Sequence, residues 1–93
     1  MDAKKLYNGK VEIFPLINGS MAEILVKLKK PGIYNLGKAS CKSIITVIVG
    51  RIIIDGIVLE RGEKTTILKG KRIDVQTDVY SEYKMETHQY HSK

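Results

Sequence analysis

Between Met21 and Lys29 apolar and polar residues alternate, with Ala22, Ile24, Val26 and Leu28 on one side and Glu23, Lys27 and Lys29 among the other. Period-two alternation predicts a half-buried strand. Val11 to Phe14 predicts an earlier strand, and Pro15 predicts that it ends there, at an edge or a bulge. Pro31-Gly32 suits the central positions of a type II turn, with Gly32 supplying the positive φ. Ile44, Ile45, Val47, Ile48 and Val49 form a nearly unbroken apolar run within Ser43 to Asp55, which predicts a strand covered on both faces. Gly50 breaks that run, and Asp55-Gly56 is a hairpin signal. Ile57-Val58-Leu59 then returns, Glu60 to Glu63 turns, and Thr65 to Leu68 forms another short strand. After a Lys69-Gly70-Lys71 turn, Ile73 to Thr77 alternates again. A last strand is expected from Val79 to about Thr87.

No segment carries apolar residues at helical spacing, and β-branched residues dominate the apolar set. Glycines punctuate the chain between short strands, the rhythm of a small all-β sandwich or barrel. The expected organisation is a single domain over residues 1–93, with a core at about 6–87 and a frayed tail at 88–93.

Composition narrows the class. The chain has 93 residues, of which 43% are hydrophobic, too many for disorder. A core this small is thin, so a homodimer is expected. No apolar run approaches the ~20 residues that span a bilayer, so no membrane partner is expected. The opening MDAKKLYNGK has no apolar stretch of the secretory kind. A lone Cys41 forms no internal disulfide. The expected setting is therefore a reducing cytoplasm.

Charge changes the picture more. The net charge is +6, and its excess is uneven. No acid lies between Glu23 and Asp55, an interval that holds Lys27, Lys29, Lys30, Lys38, Lys42 and Arg51. Lys64, Lys69, Lys71 and Arg72 form a second group. Solvated lysines alone would keep such a chain soluble; clustered, they attract anions. Nucleic acid ranks below a small anion, because strand binding wants aromatics interleaved with the charge and these tyrosines are scattered.

The candidate chemistry follows from residue types. A catalytic metal needs three or more converging ligands, and the histidines, His88 and His91, both fall in the tail. No metal and no cofactor are expected. Cys41 lacks a nearby histidine to serve as base, so no catalytic residue is assigned. There is no phosphate-loop or dinucleotide fingerprint. Gly37-Lys38-Ala39-Ser40-Cys41-Lys42-Ser43 nevertheless offers ammonium groups and hydroxyls in a short loop, a composition able to hold phosphate. The predicted ligand-binding set is Tyr34, Lys38, Ser40, Lys42, Ser43, Lys69, Lys71 and Arg72.

The order of motifs resembles a known family. Leu6-Tyr7-Asn8-Gly9-Lys10-Val11, Pro31-Gly32-Ile33-Tyr34, Ile45-Thr46-Val47-Ile48-Val49-Gly50 and Arg61-Gly62-Glu63 are similar to successive motifs of the small cupin-like pyrimidine/purine nucleoside phosphorylases. The similarity spans about residues 6–86. It implies a small, metal-independent, dimeric cupin-like β-barrel that cleaves nucleosides with phosphate. The family carries a threonine and acids in the loop that is here Gly37 to Ser43, and an arginine near Met21. Its Val-Pro-x-x-Ser segment falls near Ile67 to Arg72. Lysines in place of acids alter the charge that would meet phosphate, sugar and base.

Two functions remain open at this point, with a third behind them. The first is non-catalytic binding or sequestration of a nucleotide or other phosphate-containing molecule, of which a viral sponge for a signalling nucleotide would be one form. The alternative is a metal-independent nucleoside phosphorylase. A barrel whose basic face meets a protein partner is the third. The discriminating feature is whether Lys38, Lys42, Lys69, Lys71 and Arg72 converge.

Overall fold

Alternating side chains send every second residue of most strands into one shared interior. The protein is described by a computed structural model, over residues 4–18 and 21–87. The strands are β1 (Lys4–Leu6), β2 (Val11–Asn18), β3 (Met21–Leu28), β4 (Gly32–Lys38), β5 (Ser43–Val49), β6 (Arg51–Ile54), β7 (Ile57–Glu60), β8 (Lys64–Ile67), β9 (Arg72–Thr77) and β10 (Ser81–Thr87). They form a six-stranded sheet in the order β1-β2-β3-β10-β5-β8 and a four-stranded sheet in the order β4-β9-β6-β7. Every pairing is antiparallel. The expected all-β sandwich is the observed fold. The expected tail, with His88 and His91, lies outside the described residues.

The larger sheet contributes Val11, Val26, Leu28, Ile45, Val47, Ile67 and Tyr83 to the core. The smaller contributes Tyr34, Ile52, Ile54, Leu59, Ile73 and Val75. Each such side chain, fully buried, stabilises the fold by roughly 1.5–3 kcal/mol before entropy is charged. Sandwich packing of this kind brings two inner faces together about 10 Å apart. The interior between the sheets is therefore mainly apolar.

Several sequence expectations change. Pro15 lies inside β2, which runs on to Asn18. Among the described residues the β1 ladder reaches Ile13, and Pro15 lies across from Ile24 of β3, which pairs with β2 through to Asn18. β5 is not covered on both faces. Ser43, Ile45 and Val47 are buried, Ile44 and Thr46 are half-buried, and Ile48 and Val49 are exposed. Gly32 opens β4 at φ 155°, away from the φ near +80° of a type II turn. Its lack of a side chain serves packing instead: a Cβ there would meet the Tyr34 ring and hydroxyl at 3.0–3.1 Å. The short β1 strand gave no alternation signal in the sequence.

Gly50 is where the chain leaves one sheet for the other. It has φ +80°, and a Cβ would collide with Ser81 Oγ and the Tyr80 carbonyl. Beside it lies a polar knot in an apolar neighbourhood. The Thr77 and Ser81 hydroxyls are 2.9 Å apart, and both lie 2.6–3.1 Å from the carbonyls of Arg51 and Val79. Ser81 Oγ also accepts from the Arg51 N–H at 3.1 Å. These hydroxyls bond backbone groups where the chain leaves β5, and its ladder with β10, to enter β6 in the other sheet.

Candidate functional site

The two basic segments, separated by some thirty positions, meet at one end of the sandwich. The connection after β4 is tied to the turn before β9 by backbone bonds. Ala39 N–H donates to the Lys71 carbonyl at 2.9 Å, and Gly70 N–H donates to the Ala39 carbonyl at 2.7 Å. Ala39 itself is buried and anchors the crossing.

A bulge sets the side chains. β4 and β9 pair Asn35 with Asp74 and then Lys38 with Arg72, with a register shift between. Leu36 and Gly37 therefore share the single position opposite Ile73. Gly37 has φ +92°, a conformation that suits the extra residue of such a bulge. The shift puts Lys38 directly across from Arg72. Arg72 and Asp74, two apart on β9, share the outer face of the smaller sheet, while Ile73 and Val75 point inward.

Asn35, Gly37, Lys38 and Arg72 line an open depression of about 480 Å³. Asn35 is held on three sides. Its Nδ2 donates to Asp74 Oδ1 at 2.6 Å, its Oδ1 accepts from Gly37 N–H at 3.2 Å, and its backbone is bonded to the Tyr7 hydroxyl. Arg72 Nη2 lies 3.4 Å from Asp74 Oδ1, and Lys71 Nζ lies 3.3 Å from Asp55 Oδ1. Both pairs are half exposed, so each contributes at most about 1 kcal/mol. Among the described residues, Lys38 and Lys69 make no salt bridge.

The predicted residues divide accordingly. Lys38 and Arg72 meet in the depression, with Lys69 and Lys71 on the adjoining turn. Ser40 and Lys42 are exposed on the connection but do not line the depression. Tyr34 and Ser43 are elsewhere. Tyr34 is 3% exposed, its hydroxyl donates to the Lys30 carbonyl at 2.6 Å, and its ring meets Tyr7 edge-on with centroids 5.0 Å apart. Ser43 is buried and donates to the Cys41 carbonyl at 2.9 Å. Cys41 is half-buried and unpaired. Sequence reasoning missed Asn35 and Asp74, because only strand register brings them together. Among the described residues no group of three or more His, Cys, Asp or Glu could hold a metal ion. No helix there is long and apolar enough to cross a membrane.

No protein-family model matches the chain, and no curated protein is significantly similar to it. Solved structures do match. A protein of unknown function from Vibrio parahaemolyticus superposes with TM-score 0.80 at 16% identity, over 91% of this chain and 95% of that one. The Cupin_2 domain of an XRE family transcriptional regulator from Enterobacter cloacae gives 0.72 at 14%, over 88% and 99%. The EutQ protein of Clostridium difficile gives 0.67 at 23%, over 84% and 61%. The fold is cupin-like. At these identities the likeness is one of fold alone, and the resemblance to nucleoside phosphorylases is matched only to that depth.

Proposed function

We propose that this cupin-like chain binds a small phosphate-containing molecule without transforming it. The carrying observation is the register pair Lys38–Arg72 at the floor of an open depression, with Lys69 and Lys71 on a turn bonded to the same connection. An ammonium and a guanidinium across one strand spacing suit a phosphate, the guanidinium through paired donors and the ammonium as a point charge. Catalysis would need a base or a nucleophile within reach of the bound group. The depression is lined by Asn35, Gly37, Lys38 and Arg72, with no histidine or thiol among them, and the neighbouring Asp74 has one oxygen engaged by Asn35 and Arg72.

Incubating the protein with nucleosides plus phosphate, and separately with nucleotides and sugar phosphates, tests this reading. Each mixture is chromatographed intact and again after heat denaturation. A phosphate compound that leaves the free pool and returns unchanged on denaturation is expected. Release of free base and sugar phosphate would establish the phosphorylase alternative. No depletion with any compound would overturn both.

A further inference from the structure

We infer that the depression takes a phosphate monoester on a hydroxylated carbon skeleton rather than a polyphosphate; this rests on the phosphate-binding reading above and narrows its ligand. The site has two unlike rows. Lys38 faces Arg72 in one, and Asn35 faces Asp74 in the next. Along β9 the backbones of such rows lie about 7 Å apart, and the Arg72 guanidinium reaches across to Asp74 Oδ1 at 3.4 Å, so a phosphate and a hydroxyl a few bonds away in one small ester would meet both rows together.

The first row is cationic and suits phosphate. The second suits hydroxyl groups. Asp74 Oδ1 accepts from Asn35 and Arg72, while Oδ2 has no hydrogen-bond or ion-pair partner among the described residues. The Asp74 side chain is 46% exposed. An ionised carboxylate oxygen in that state accepts from a hydroxyl and repels a second phosphate. Asp55, which holds Lys71 just beyond the Ile54–Val75 pair, adds a second negative charge near this end of β9. Lys38, Lys69, Lys71 and Arg72 against Asp55 and Asp74 leave a net charge of about +2, a match for one dianionic phosphate at the Lys38–Arg72 row. A chain of phosphates would have to lie against Asp74.

Calorimetric titration of the full chain with ribose 5-phosphate, inorganic phosphate, ribose and tripolyphosphate separates the possibilities. Ribose 5-phosphate should bind at least tenfold tighter than inorganic phosphate, ribose should show no heat, and tripolyphosphate should bind no tighter than phosphate. Asp74→Asn should cut the ribose 5-phosphate advantage several-fold and strengthen tripolyphosphate; if that variant does not fold, the wild-type order alone decides. Equal affinity for phosphate and its ribose ester, or tripolyphosphate binding tightest, would overturn the inference and leave the phosphate-binding reading standing. Absence of binding by every probe, or binding unchanged in Lys38→Glu, would overturn both.

Discussion

The hydroxyl of Tyr7 holds both backbone polar groups of Asn35, donating to its carbonyl at 2.8 Å and accepting from its N–H at 2.9 Å. β4 is an edge strand of the smaller sheet, and this hydroxyl does for one residue what a neighbouring strand would do. Tyr7 sits at φ 53°, a conformation that is uncommon for a bulky side chain and costs of order 1–3 kcal/mol. The two hydrogen bonds and the edge-on contact with Tyr34 offset that strain. The same clip fixes Asn35, whose side chain sets one wall of the depression.

Tyr7→Phe keeps the ring contact and removes both bonds. Because Tyr7 is 44% exposed, water will replace part of the loss. The expected cost is about 1 kcal/mol, or roughly 4–8 °C in Tm for a domain of this size. Amide exchange at Asn35 should accelerate while that of Val75 stays slow. Unchanged Asn35 exchange would mean the clip is not formed in solution.

Gly50→Ala should be far more damaging. It combines a positive φ with a collision against backbone as well as against Ser81. Strain and overpacking together predict a loss of about 2–5 kcal/mol. Urea denaturation of this variant beside Gly56→Ala checks the point. Gly56 also has positive φ but open space around its missing Cβ, so it should lose less.

Ser81→Ala leaves the Arg51 N–H without its hydroxyl acceptor in a position that is 0% exposed at Ser81. The expected cost is about 1–3 kcal/mol. A midpoint shift without a change in urea slope would mark a loss of stability alone.

Alkaline pH should unfold the protein through its tyrosines. Burial pushes the Tyr83 phenol up, and a hydrogen bond to Glu82, with desolvation and the Glu82 and Glu12 charges, raises Tyr80 from 10.0 to about 12. Both phenols hold their protons more tightly folded than unfolded. Their contribution is therefore complete below about pH 10 and is lost as pH rises toward 12. Tyr83→Phe should flatten the fall in Tm above pH 10. An equally steep fall in that variant would place the cause elsewhere.

Much of this fold was legible wherever one face alone is buried. Ile73 to Thr77 and Met21 to Leu28 announced both strand and facing through alternation, and Asp55-Gly56 announced its hairpin. Pro15 misled because a proline gives up one ladder bond without ending a strand, and β2 keeps its pairing with β3 as far as Asn18. Tyr34 looked like a ligand contact because it lies in a basic interval, but alternation along β4 turns it inward. The basic segments could be picked out by composition. The partners that shape them, Asn35 and Asp74, carry no local signal, since a bulge and a cross-strand register decide their meeting.

Amide chemical shifts of the labelled protein, followed during titration with ribose 5-phosphate, bear on the site without any mutation. Perturbations should concentrate at residues 35–39 and 69–74, on both sides of the Lys38–Arg72 pair. Saturating shifts centred on any other part of the molecule, or no shifts at millimolar ligand, would contradict a phosphate site in that depression.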